Sequence, residues 1–317
     1  MTHQRIAIIG GTGFIGGRIA ARLAARGVRV TLLSRHPARC PAALSLLPLV
    51  DLVSGEMGDP ARLGSVLAGH DAVISMAGIL HGSVKTFDHV HHRLVATIVA
   101  ACQERGIRRL IHIGALGAAP DAPSHYLRSK AAGEAQVTGS GLDWTVLRPS
   151  VVFGRGDRFL NLFADLARTL PVLPLAGAGT RFQPVWVDDV ARAAEQVIDN
   201  RRSVGVTLDL VGPREYTLAE LVAYVGDLTG HPRPILPLPA GLAMLQAAVM
   251  ECLPGVPLMS RDNVRSLAVD NISRQGFPAE LLGFAPRAVE SVAPDYLGTR
   301  EVNQRRARWR TRAGRAQ

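Results

Sequence analysis

Arg5 to Ile9 is a short, nearly continuous apolar run, and the next seven residues, Gly10-Gly11-Thr12-Gly13-Phe14-Ile15-Gly16, include four glycines. A strand that is apolar at almost every position is buried on both faces, so it belongs inside a sheet covered by helices on each side. A helical pattern follows through Ile19, Leu23 and Ala24 and ends at Gly27, after which Val28 to Leu33 repeats the buried-strand pattern. Strand, glycine turn, helix and strand within about 30 residues make one βαβ unit, whose crossover is right-handed.

The glycines have separate tasks in such a unit. Gly10 permits a tight turn, Gly13 lets a pyrophosphate approach the backbone, and Gly16 allows close packing of helix and strand. The helix that begins there offers unpaired N–H groups and the positive end of its dipole to phosphates. The spacing alone is weak, since about 0.3 matches arise by chance in a chain this rich in glycine. Its position between a buried strand and a helix points to a dinucleotide site, with Thr12, Phe14 and Ile15 in the same turn.

Strand-like runs recur at Val50 to Val53, Ala72 to Met76, Arg109 to Ile113 and Thr145 to Leu147, and Leu94, Val95, Ile98, Val99 and Cys102 mark one face of a helix between them. This alternation predicts an α/β fold, a Rossmann-type doubly wound parallel sheet. After Pro149 a helix is expected over Phe159 to Leu170, a strand at Val185 to Val187, a helix over Val190 to Ile198 and a strand–helix pair from Val206 to Leu228. Residues 231–260 are rich in proline and read as packed but irregular. The expected organisation is a dinucleotide-binding domain from 1–155 and 183–215, a smaller C-terminal lobe from 156–182 and 216–299, and an Arg-rich tail at 300–317.

The end of the second strand bears on cofactor choice. A site for NAD places an acid there to bind the ribose 2′-hydroxyl. This chain has Ser34, Arg35 and His36, with Arg39 one turn on. Guanidinium groups there would clamp a 2′-phosphate, so NADP(H) is favoured over NAD(H).

Tyr126-Leu127-Arg128-Ser129-Lys130 is the second motif. With four tyrosines and only two lysines in the chain, Lys85 and Lys130 among 36 Lys and Arg, the pair is rare by chance. Positions i and i+4 share a helix face. A lysine there would hold the ribose and lower the phenol pKa, and the phenol would exchange a proton with a substrate oxygen.

Together these residues resemble the short-chain dehydrogenase/reductase superfamily in its extended and atypical branches, over most of residues 5–215. Gly55-Glu56 after the third strand, Met76-Ala77-Gly78 after the fourth and Arg148-Pro149-Ser150 after the sixth match as well. The resemblance implies that Glu56, Met57, Met76, Ala77, Gly78 and Pro149 help to hold the cofactor. Ser124 to Glu134, Phe153 to Asn161 and Gln183 to Val190 are similar to the group containing the nucleotide-binding accessory subunit of respiratory complex I and its bacterial relatives. That implies an NADP(H)-binding protein with a structural or redox-sensing role linked to a respiratory complex. The alternative is an NADP-dependent oxidoreductase or a sugar-nucleotide-type epimerase acting through Tyr126 and Lys130. One departure bears on this choice. Active members carry Ser or Thr just after the fifth strand, where this chain reads Ile113-Gly114-Ala115-Leu116-Gly117.

Other signals are weaker. His89, His91 and His92 read as a solvated helix start rather than a metal site, and Asp188-Asp189 as a helix cap. No metal is expected. Three dispersed cysteines favour a reducing compartment. The net charge of +10 falls to +4 without Arg300, Arg305, Arg306, Arg308, Arg310, Arg312, Arg315 and Glu301, so the basic character belongs to the tail. With 5% aromatic residues, nucleic acid is an unlikely partner. No signal peptide is visible, and the apolar stretch Ile235 to Met250 is too short to span a bilayer. The expected location is cytoplasmic or peripheral at the inner face of a membrane, with the tail on an anionic lipid surface or a respiratory-complex subunit.

Overall fold

The computed structural model describes residues 3–35, 40, 42–255 and 257–298. His36, Arg39 and the tail at 300–317 lie outside the described residues.

A seven-stranded parallel sheet forms the centre. Six of its strands are β1 (Arg5–Ile9), β2 (Arg29–Ser34), β3 (Val50–Ser54), β4 (Ala72–Ser75), β5 (Arg109–Ile113) and β6 (Asp143–Pro149), and the seventh is Val206–Leu210. The order across the sheet is Val206–Leu210, β6, β5, β4, β1, β2, β3. The chain thus starts in the middle, winds out to β3, and returns to lay β4 on the other side of β1. The gap above the β1–β4 boundary is where such sheets bind ligands.

The unbroken apolar character of β1 has a two-sided cause. Ile6 and Ile8 pack on one face against Ile19 and Leu23 of helix α1 (Phe14–Ala25) and against Val190 and Val197 of the helix Val187–Asp199. Ala7 and Ile9 pack on the other face against Leu63 and Leu67 of the helix Pro60–Leu67 and Val95 and Ile98 of the helix Leu94–Glu104. Burying one such Ile or Leu side chain contributes about 1.5–3 kcal/mol. Alternate residues therefore anchor opposite helix layers.

A second core lies beyond Pro149. Phe153, Leu160, Leu175, Leu221, Val225 and Val292 are buried together, drawing on the helices Leu160–Thr169 and Leu218–Thr229. Thr217 and Glu220 cap the latter reciprocally. The proline-rich segment is more regular than its composition implies. Ile235–Leu238 is a strand paired with Leu173–Ala176, and Ala240–Glu251 is a helix. Pro237 is tolerated because that strand pairs on one side only, and Pro239 stands at the N-cap, where no helical N–H is needed.

Asp188 and Asp189 are not caps in the strict sense. Trp186 occupies the N-cap without a side-chain bond, and both aspartates sit in the first turn, where the helix dipole favours them. Asp189 also accepts the N–H of Arg287 at 2.7 Å, tying the C-terminal segment to this helix.

Candidate dinucleotide site

A groove of about 360 Å³ opens at the carboxyl ends of β1, β2 and β4. Gly10, Thr12, Gly13, Arg35, Glu56, Met57, Ala77 and Gly78, all singled out from the sequence, line it. Ser34, Gly58, Ile79, His89, Val90 and Leu94 complete the walls. Gly10 has φ +84°, and a Cβ there would come within 2.9 Å of the Ala77 backbone. A side chain at Gly16 would strike the backbone of Gly11, so this glycine keeps the turn itself compact. Around Gly13 nothing lies within 4 Å of a would-be Cβ. Gly13 caps α1 without a side-chain acceptor, and no acid stands in the first turn. The orphan N–H groups and positive dipole of this helix end therefore suit phosphate.

Phe14, Ile15 and Gly16 begin α1 and position the turn rather than line the groove. Met76 packs against the core beneath it. Pro149 ends β6, and its carbonyl accepts the N–H of Leu116 at 3.0 Å. Arg35 is exposed at the end of β2, on the groove.

Tyr126 and Lys130 stand apart from that lining, on the helix His125–Thr138. Ser124 caps it by accepting the N–H of Leu127, and the carboxylate of Asp262 accepts the N–H groups of His125 and Tyr126 at 2.8 and 2.9 Å. The Lys130 ammonium is buried and donates to the Ile113 carbonyl at 2.6 Å. Burial pushes its pKa down to about 8, against the opposing pull of Glu134. The phenol of Tyr126 moves the other way from the sequence expectation. Burial, and secondarily the Glu134 carboxylate, raise it to about 12.

Glu134 also explains the residue after β5. It forms a 2.6 Å ion pair with Arg148 and accepts the N–H of Ala115 at 3.4 Å. A Cβ at Gly114 would collide with the Glu134 carboxylate. The space that a side chain would need at 114 is thus filled by a carboxylate from the Tyr126 helix.

His91 links this helix to the groove, a role that sequence reading missed. The segment Asp88–Arg93 forms a wide π-helical turn ahead of Leu94–Glu104, and it turns His91 inward rather than to solvent. His91 Nε2 accepts the N–H of Ile79 at 3.0 Å, so the proton sits on Nδ1, which donates to Ser129 Oγ at 2.8 Å. Ser129 Oγ donates in turn to the Tyr126 carbonyl. The His91 ring lies edge-on to Tyr126 at 5.4 Å and stacks on Phe87 at 5.5 Å. Burial, reinforced by the nearby Lys130 cation, lowers its pKa to about 3 and keeps it neutral. The other two histidines differ: His89 lines the groove, and His92 bonds Asp88 at 2.9 Å. Gly133 is required by this contact, because a Cβ there would strike the His91 carbonyl.

A family model described as NAD(P)H-binding matches residues 10–157. Over 302 residues the chain is 30% identical to the protein named NADH dehydrogenase [ubiquinone] 1 alpha subcomplex subunit 9, mitochondrial, from Rattus norvegicus, covering 92% of this chain and 78% of that protein. The chain belongs to the family of this complex I subunit. Residues 10–157 of this chain are thus an NAD(P)H-binding domain, built on a Rossmann-type parallel sheet. A second relative, named ceramide reductase, from Caulobacter vibrioides, is 29% identical over 238 residues, covering 74% of this chain and 73% of its own. The solved NADPH-dependent quinone oxidoreductase QOR2 of Escherichia coli, in complex with NADPH, superposes with a TM-score of 0.72 at 19% identity, covering 91% of this chain and 98% of that one. That likeness is one of fold.

Proposed function

We propose that this protein holds NADP(H), in preference to NAD(H), as a structural or redox-sensing element associated with a respiratory complex. The observation that carries the cofactor choice is Arg35, exposed on the groove at the end of β2, where an acid would repel a 2′-phosphate. The proposed division of labour gives the dinucleotide to residues 1–155 and 183–215, and the cover over it to 156–182 and 216–299. Phosphates would meet Gly10, Thr12, Gly13 and the start of α1, and Lys130 would hold the ribose. The Arg-rich tail would attach the protein peripherally, to an anionic membrane or an acidic subunit surface at its inner face.

Two features support a holding role over turnover. Gly114 supplies no hydroxyl and has no room for one, and the Tyr126 phenol is a weak acid at about 12. The test is to denature freshly purified protein and identify any released nucleotide by mass spectrometry. Tightly retained NADPH supports the reading; release of NAD(H) alone, or equal affinity for both nucleotides by titration, would reject it.

A working oxidoreductase or epimerase is the second reading, favoured by the buried Lys130 ammonium at about 8, four residues after Tyr126 on the same helix, and by the relative named ceramide reductase. In its reductase form the bound reduced nicotinamide would supply hydride to a substrate carbonyl, and Tyr126 would give its proton to the carbonyl oxygen. Tyr126→Phe would then abolish turnover while leaving most cofactor affinity, and Lys130→Ala would weaken binding. Rapid activity independent of Tyr126 would exclude this mechanism.

A further inference from the structure

The helix Ala240–Glu251 wears its apolar side chains on the outside. Its buried positions are two alanines, Ala243 and Ala247, whereas Leu242, Leu245 and Val249 are 55%, 62% and 57% exposed. Leu253, just past the helix end, is 62% exposed. Spacings of three and four residues gather Leu242, Leu245 and Val249 on one side of the helix. A surface helix normally turns its large apolar groups inward and its polar groups to water. From Ile235 to Met250 there is no charged residue to interrupt this face. An apolar patch of this kind marks a surface that is covered by something.

We propose that this face docks on an anionic lipid bilayer. The inference rests on the peripheral-attachment reading above and names its partner. Charge decides between occupants. The described chain ends at Gly298, directly after a short helix, Pro294–Leu297, buried in the core of the same lobe. Residues 300–317 then carry seven arginines and one glutamate. An anionic bilayer matches both the apolar helix face and the arginine-rich composition of 300–317: hydrocarbon takes the leucines, and lipid phosphates attract the arginines. Helices that lie in the interface combine an inserted apolar face with electrostatic attraction in this way. Each arginine close to such a surface strengthens binding by about fivefold, and the effect falls away within about 8 Å at physiological salt.

The experiment uses the full chain and sedimentation with vesicles of phosphatidylglycerol mixed with phosphatidylcholine. Wild type should sediment with them at low salt and come off in part as salt rises. Leu245→Asp combined with Val249→Asp should weaken vesicle binding by about tenfold or more, because inserted apolar area is exchanged for charge. Both positions are already exposed, so thermal unfolding and NADPH titration should stay as in wild type. Full-length protein with Arg305, Arg306, Arg308 and Arg310 all changed to Gln should lose mainly the salt-sensitive part. Wild type that ignores anionic vesicles at low salt overturns the proposal, as does a double-Asp variant that binds like wild type. Should wild type ignore vesicles while the double-Asp variant loses a protein partner, the occupant is a protein groove and the bilayer is excluded. NADPH titration is read separately, so failure of the nucleotide reading leaves the vesicle result standing.

Discussion

The carboxylate of Asp262 accepts the backbone N–H of Tyr126 at 2.9 Å, across 136 residues of sequence. The same carboxylate takes the N–H of His125 at 2.8 Å, so a residue of the C-terminal lobe caps the helix that carries Tyr126 and Lys130. Arg261, its neighbour, pairs with Glu251 at 2.7 Å, which fastens this capping segment to the end of the exposed helix Ala240–Glu251. The lobe therefore holds the Tyr126 helix by its first turn.

Asp262→Ala should loosen that helix end. Two first-turn N–H groups lose their acceptor, a loss of about 1–3 kcal/mol in unfolding free energy. NADPH affinity should fall with it if Lys130 holds the ribose. Asp262→Asn, which keeps a side-chain oxygen, should recover part of both. Chemical denaturation and nucleotide titration on the same samples check the pairing, and unchanged stability in the alanine variant would contradict it.

Arg35→Ala should weaken NADPH binding about tenfold or more, since a hydrogen bond to a charged group contributes roughly 1.5–3 kcal/mol. NADH binding should change little. Fluorescence titration with both nucleotides gives the comparison directly.

Gly114→Ser adds a side chain where the Glu134 carboxylate already sits. Overpacking of this kind costs about 1–3 kcal/mol. The variant should be less stable than wild type and should not gain reductase activity. Pairing it with Glu134→Ala should relieve the collision but strand Arg148, so recovery should be partial. Denaturant unfolding of the single and double variants measures both effects.

His91 should make the fold sensitive to acid. Its pKa lies at about 3 when folded against 6.5 unfolded, so between these values the unfolded chain binds the extra proton. Stability therefore rises with pH through this window and is lost as pH falls through it, at up to about 1.4 kcal/mol per pH unit. His91→Gln should flatten the slope below pH 6.5 by an amount approaching this. His70, His81 and His112, also lowered by burial, act in the same direction in both proteins and cancel in the comparison. Parallel slopes for the two proteins would place the acid sensitivity elsewhere.

The sequence by itself determined the parts of this protein that depend on neighbours along the chain. The buried β1 strand, the turn at Gly10 with its φ of +84°, and the shared helix face of Tyr126 and Lys130 all follow from local periodicity and backbone sterics. Arg35 at the end of β2 was legible for the same reason. Tertiary structure decided the rest, because it rests on contacts whose partners lie far apart in sequence. No spacing announces that His91 reaches Ile79 and Ser129, since a π-helical turn reorients it by a fraction of a turn that a regular helix pattern does not contain. The run from Ile235 to Met250 reads as apolar, but whether its leucines face core or water depends on which surface packs beside it; the lobe accepts only Ala243 and Ala247. The Tyr126 phenol illustrates the same limit. Its motif implies a lowered pKa, yet the fold desolvates the phenol and brings Glu134 near, both of which raise it, while the Lys130 ammonium is bonded to the Ile113 carbonyl.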